Sequence, residues 1–341
     1  MTKETHPDKM EWRALYKAAA TFKALAPWRW MREHHLFCVV DPEGRDTGYC
    51  GVTGADGEHT SLIVNLGTEG LSSYLTTLEL GDVVDPLEFL FMQRCLMASY
   101  EDRDLLNKED RDVIKGLGLS FRGRGAWPLF RSYRPGFAPW HLTSSEARFL
   151  RVALEQAVDV AERVENDPGL IDLVKHRTLL FRVPAREGDD IAWRDEQRPV
   201  PKVGQPPLPR PKLEVERARR QLEGAKSLDS VWEVDMFPIP QATHERKGDR
   251  PYFPRLALWV DRGTGLVVGH SMFGPVDSPD LSMATLRVIE RLGVPRTIMV
   301  QRPEVAALLE PLAELAGIEL KPVEWLDGIE GARRSMLSGF R

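Results

Sequence analysis

The 341-residue chain reads as two domains, an α+β domain over residues 1–197 and an α/β domain with a mixed sheet over residues 226–341. Three observations predict this. Domains usually run ~100–200 residues, so the length suits two cores better than one. The stretch PVPKVGQPPLPRPK, residues 199–212, holds prolines at 199, 201, 206, 207, 209 and 211. That density suits neither a helix interior nor a central strand, and it favours an extended spacer. With the short helix expected after it, the segment 198–225 is read as the linker. Finally, short strands separated by turn residues precede it, whereas strands and helices alternate behind it, which favours a mixed sheet faced by helices.

The elements follow in order. EWRALYKAAATFKALAPW carries Leu15, Ala18, Ala19, Phe22 and Leu25 at helical spacing and stops near Pro27. HLFCVVD, TGYCGVTG and HTSLIVNLG are apolar runs parted by PEGRD and ADGE, which predicts a three-stranded antiparallel meander. TEGLSSYLTTLEL reads as a helix, and LNKEDRDVIKGLGL as a shorter one capped by Asn107 and ending near Gly116. In LTSSEARFLRVALEQAVDVAERVENDPG, Thr143 and Glu146 form a capping-box pattern ahead of one apolar stripe. TLLFRVPA and DIAWRDE are two closing strands. Past the linker, LEVERARRQLEGAKSL is a short helix and VWEVDMFPIP a strand. PRLALWVD and GLVVGHSMF form a hairpin over RGTG, where Asp261 starts the turn by bonding backbone two residues on. SPDLSMATLRVIERLG is a helix capped by Ser278 or Asp280. TIMV is a buried strand, EVAALLEPLAELAG a helix, IELKPVEWL a last strand and EGARRSMLSGF a final helix.

Composition narrows the function classes. The chain is 42% apolar and 28% charged with a net charge of −5, an ordinary balance for a globular protein and a poor one for a dedicated DNA binder. Cys38, Cys50 and Cys95 are odd in number and form no CxxC pair, which argues against a disulfide framework or a zinc knuckle. Cys38 and Cys50 either face each other across a hairpin or sit buried as small apolar residues. The polar start MTKETHPDKMEW is no signal peptide, and no run approaches the ~20 apolar residues that span a bilayer. The expectation is a soluble, cytoplasmic chain with no membrane partner.

SFRGRGAWPLFRSYRPGFAPW, residues 120–140, is the best nucleic-acid candidate. It interleaves Arg122, Arg124, Arg131 and Arg134 with Trp127, Phe130, Tyr133, Phe137 and Trp140. Aromatic faces stack bases while guanidinium groups meet phosphate. The alternative is a long loop anchored by its aromatics, with the acidic run EDRDLLNKEDRD upstream offsetting its charge. The eight histidines show no HxH or HxxxH spacing, and adjacent His34 and His35 would point to opposite faces of a strand. His244 and His270 are single. GVTGADGE and RGTGLVVG are turns between strands, not phosphate loops.

In the C-terminal region, Asp235 of VWEVD stands in an apolar strand, followed by the hairpin, helix, strand, helix and strand. That order resembles the catalytic core of integrases and transposases, a ribonuclease-H-like fold. The resemblance implies a divalent ion, Mg²⁺ or Mn²⁺, held by carboxylates. It aligns Asp235 with the acid of the first strand and Glu330 of DGIEGARR with the late-helix acid. Where the family's P-x-x-I-x-x-D pattern ends in Asp, PRTIMVQ has Gln301, with Glu304 the nearest substitute. Two-metal chemistry needs several converging carboxylates, and a neutral amide removes one. From residue 226 onward the chain has 14 Lys and Arg against 16 Asp and Glu, no basic surface for phosphates.

The chain as a whole resembles a bacterial two-domain family of unknown function marked by Ala26-Pro27-Trp28 and by Pro135-Gly136-Phe137-Ala138-Pro139-Trp140. Three readings stand. One is a protein without catalysis that binds or scaffolds through a degenerate ribonuclease-H-like domain, needs no cofactor, and has a protein or nucleic-acid partner. The second is a Mg²⁺- or Mn²⁺-dependent nuclease or phosphoryl-transfer enzyme using Asp235, Glu330 and Glu304. The third is a nucleic-acid module built on Arg122, Arg124, Trp127, Arg131, Tyr133 and Arg134.

Overall fold

A computed structural model describes residues 5–338, apart from residue 33 and residues 81–85, 172–176, 188–189, 205–207, 210, 212 and 276–279. The chain divides into two compact units, Met1–Gln205 and Pro206–Arg341.

In the first unit, α1 (Lys9–Leu25) starts at an Asp8–Glu11 capping box and ends on Ala26 in the left-handed region. The strands are β1 (Leu36–Val40), β2 (Thr47–Thr53), β3 (Ser61–Leu66), β4 (Cys95–Glu101), β5 (Trp127–Tyr133), β6 (Thr178–Glu187) and β7 (Asp190–Pro199). The helices between them are α2 (Gly67–Leu80), α3 (Pro86–Leu90), α4 (Lys108–Gly116) and α5 (Ser144–Asn166). The seven strands form one sheet in the order β5-β4-β3-β2-β1-β6-β7. Only the β1–β6 pairing is parallel, with Phe37 opposite Leu180; the others are antiparallel.

Strand β1 is apolar throughout because both sheet faces are covered. Phe37 and Val39 join the core under α1 and α5, with Leu15, Phe22, Leu150 and Leu154. Leu36 and Cys38 face the other side, against Leu71 of α2 and Phe181. Cys50 packs on the first face and Cys38 on the second, so the two thiols do not face each other across the hairpin. All three cysteines are buried and free. The expected meander is present, but as the middle of a larger sheet. The stretch 120–140, for which a long loop is the alternative reading, contains β5. The first two residues of the expected linker, Arg198 and Pro199, belong to β7, an edge strand that tolerates proline. Pro206 and Pro207 lie outside the described residues. His34 and His35 are not on opposite faces of a strand: they sit at the turn into β1 with their rings 4.5 Å apart.

The second unit holds β8 (Ser227–Pro238), β9 (Arg255–Asp261), β10 (Val267–Phe273), β11 (Val294–Val300) and β12 (Glu319–Pro322). Its helices are α6 (Val215–Leu222), α7 (Leu281–Leu292), α8 (Pro303–Ala316) and α9 (Asp327–Ser338). The sheet order is β10-β9-β8-β11-β12. Strands β8, β9 and β10 are antiparallel neighbours, whereas β11 runs parallel to β8 and β12 parallel to β11. Alternation along β8 divides the core. Trp232, Val234 and Met236 pack under α7 and α8, while Phe237 joins Leu256, Leu258, Val260, Leu326 and Ile329 on the side of α9.

Asp261 makes the turn expected of it, but three residues on: its Oδ1 accepts from the Thr264 N–H at 2.9 Å and from the Thr264 hydroxyl at 2.7 Å. Asp280 caps α7 by accepting from the Met283 N–H; Ser278 lies outside the described residues. Among the described residues, no helix is long and apolar enough to cross a membrane.

Candidate functional site

The period of two in β8 places Glu233 and Asp235 on one face of the central strand, the face that α9 covers. Both are buried, Glu233 completely. A buried carboxylate is costly unless it is paired and hydrogen-bonded; Glu233 is both, whereas Asp235 Oδ1 is met by an ion pair without a hydrogen bond. Glu233 Oε2 accepts from the backbone N–H groups of Gly328 and Ile329, at 2.8 and 3.1 Å, in the first turn of α9. Its Oε1 accepts from Arg262 Nη1 at 3.1 Å. The carboxylate therefore closes the positive end of α9. A Cβ on Gly328 would stand 3.0 Å from Glu233 Oε2 and 2.8 Å from Val260 Cγ1, so glycine lets the helix end approach this closely.

Asp235 meets a different cation. Arg302, the residue just before α8, sets its Nε 3.3 Å from Asp235 Oδ1. Glu330, one turn into α9, has Arg333 Nη1 3.9 Å from its Oε1. The Arg333 guanidinium also lies over the Phe237 ring, 5.1 Å from its centroid. Gln301 donates through Nε2 to the Glu324 carbonyl at 2.8 Å. Gln301, Arg302, Pro303, Glu304, Glu330 and Arg333 line one pocket of about 430 Å³. The structure thus gathers Glu304 and Glu330 at one opening, with Asp235 behind Arg302. Two guanidinium groups are interleaved with the acids. Among the described residues, no three His, Cys, Asp or Glu side chains are grouped to hold a metal ion. Sequence reasoning overlooked Glu233. The signal was the i, i+2 spacing of the two acids in VWEVD.

The stretch 120–140 lies in the first unit. Phe130 is core, flanked by Trp12 and set edge-on to Tyr16 at 5.0 Å. Trp127 packs against Phe121 and Tyr133 is half-buried, its hydroxyl pushed up to about 12 first by burial and then by the neighbouring Cys95 thiol. Arg131 makes a two-pronged ion pair with Asp110, at 2.9 and 2.6 Å, and Arg134 pairs with Glu146 at 3.2 Å. Arg122 and Arg124 are exposed, with Arg124 Nε 3.9 Å from Asp102. Trp28 rests on Phe22 and Tyr100, and Trp140 exchanges two backbone hydrogen bonds with Ser132, so both tryptophan motifs serve the fold.

Residues 218–337 match the family model described as domain of unknown function (DUF6930). No curated protein matches the chain. The model described as domain of unknown function (DUF7309) matches residues 12–182, half of the chain, and the protein belongs to that family.

Proposed function

We propose that the second unit is a ribonuclease-H-like core that has exchanged metal ligation for arginine–carboxylate pairing and acts by binding instead of cutting phosphodiesters. Numbering its strands from β8, the order 3-2-1-4-5, with the first three antiparallel and the last two parallel, supports the fold assignment. So do the positions of α7, α8 and α9 after the third, fourth and fifth strands. The observation that carries the functional reading is Arg302 Nε, 3.3 Å from Asp235 Oδ1.

A divalent ion needs anionic oxygens turned to a common point, with ions ~3.5–4 Å apart in a two-metal site. Here guanidinium groups approach the same oxygens, and Arg302 and Arg333 would repel an ion placed beside them. Gln301 supplies no charge, and its amide is engaged with the Glu324 carbonyl. The donor set does not fit a Mg²⁺ or Mn²⁺ centre. Internal pairing of this kind fixes the geometry of α8 and α9 against β8 and leaves the outer surface for a partner.

Calorimetric titration of Mn²⁺ into the wild type and into Asp235→Asn tests the reading. The expected result is no specific binding in either protein. Stoichiometric binding to the wild type that is lost in Asp235→Asn would sink it.

A further inference from the structure

The surface of the second unit is incomplete at β10. This strand is the last in its sheet, and no strand pairs with its outer edge among the described residues. Its sequence, VVGHSMF, contains no Lys, no Pro and no charged residue, the usual means of blunting a free edge. A register shift between Val267 and Gly269 irregularises its first residues. Arg291 of α7 donates to the Val268 carbonyl at 3.3 Å. The run from Gly269 to Phe273 is left as a regular open edge.

The face beside that edge is apolar. Met272 is 59% exposed and Val267 48% exposed. In the β9 register His270 stands opposite Leu258 and Met272 opposite Leu256. These four residues line a groove of about 590 Å³ that reaches Ile239 and Met336, and no Asp, Glu, Lys or Arg lines it. An unpaired strand edge calls for another strand, and an uncharged groove calls for one without charge.

We propose that the occupant is β10 of a second copy of this chain, paired antiparallel across a twofold axis at Ser271. Two features favour a second copy over a foreign strand. Its β10 is uncharged, so no like charges meet across the axis. The open run is centred on Ser271, because the bulge and Arg291 occupy the other end. Antiparallel pairing there places His270 opposite the partner's Met272, and Gly269 opposite the partner's Phe273, with two such pairs by symmetry. The two five-stranded sheets become one, and the two apolar grooves run into each other. This inference goes beyond the proposed reading of the carboxylate cluster and shares no residue with it, so the Mn²⁺ titration and the experiment below fail independently.

Sedimentation velocity of the full chain over roughly 1–100 μM provides the test. The wild type is expected to sediment as a dimer, twice the 38.6 kDa protomer. Met272→Lys and His270→Glu, both at exposed positions, should each raise the dimer dissociation constant at least tenfold. Far-UV circular dichroism should remain unchanged. The double variant should regain most of the lost affinity, because each new lysine then faces a glutamate of the other copy. A monomeric wild type across the range, or single variants that dimerise as the wild type does, would overturn the proposal. A double variant that stays monomeric would overturn the Ser271-centred register.

Discussion

Glu233 shows how one buried charge can organise a helix end. Its carboxylate accepts from two backbone donors of α9 and from Arg262, whose side chain is itself 43% exposed. Removing it strands the guanidinium and two N–H groups, so Glu233→Ala should lower the unfolding free energy by about 3 kcal/mol, the scale of a broken buried pair. Urea titration followed by tryptophan fluorescence measures this, since Trp232 and Trp259 lie in the same unit's core. Gly328→Ala should cost about 1–3 kcal/mol through overpacking against Val260 and Glu233. Equal stability in both variants would refute the capping role. Asp235 was legible in the sequence, because an acid in an apolar strand demands a partner. Arg302 was not legible as that partner, since strand pairing in three dimensions brings it close and no local spacing does.

Among the elements, α5 offers the clearest case of local instruction. Thr143 accepts from the Glu146 N–H, and Glu146 Oε2 accepts from the Thr143 N–H at 2.8 Å. Thr143→Ala should cost about 1 kcal/mol, readable in a thermal melt. Glu146 also holds the Ser132 hydroxyl and Arg134, tying the helix to β5. Burial pushes its carboxyl up, but the Thr143 N–H, Arg134 and the Ser132 hydroxyl outweigh it and leave the folded value lowered. The sign follows from linkage: the stabilisation is complete above the ordinary glutamate range, ~4.3, and is lost as pH falls through the lower folded value. In Glu146→Gln, the acid limb of a stability-against-pH profile should be shallower than in the wild type. Strand β5 shows where legibility ended. Its burial alternates, yet the inward positions include Pro128 and Ser132 and the half-buried ones include Trp127, Leu129 and Tyr133. Hydropathy therefore does not alternate, and Ser132 is accepted inside because it donates to Glu146. Likewise β4 is buried over most of its length between β3 and β5, so it shows no period of two.

For the whole molecule, the two separate cores match the two-domain organisation that the chain length predicts. The helices and sheet of residues 1–205 bury their own apolar surface, and those of 206–341 bury theirs. Each unit expressed alone should unfold in a single cooperative transition by circular dichroism; a fragment that melts without cooperativity would show that its core needs the other. Element order made the mixed character of the second sheet legible, because strands that alternate with helices favour parallel pairing beside the antiparallel hairpin. The first sheet was only half legible, because β6 returns to β1 beside Phe37 from position 180. That return also governs how the chain is made. A ribosome exposes β1 to β5 well before β6 exists, so the growing polypeptide carries an open, apolar strand while most of its domain is still being synthesised. Long-range parallel closure is slow and leaves an intermediate prone to clumping. A message truncated after Asn166 should therefore yield insoluble product, and the full-length chain should depend on whatever shields that edge during translation.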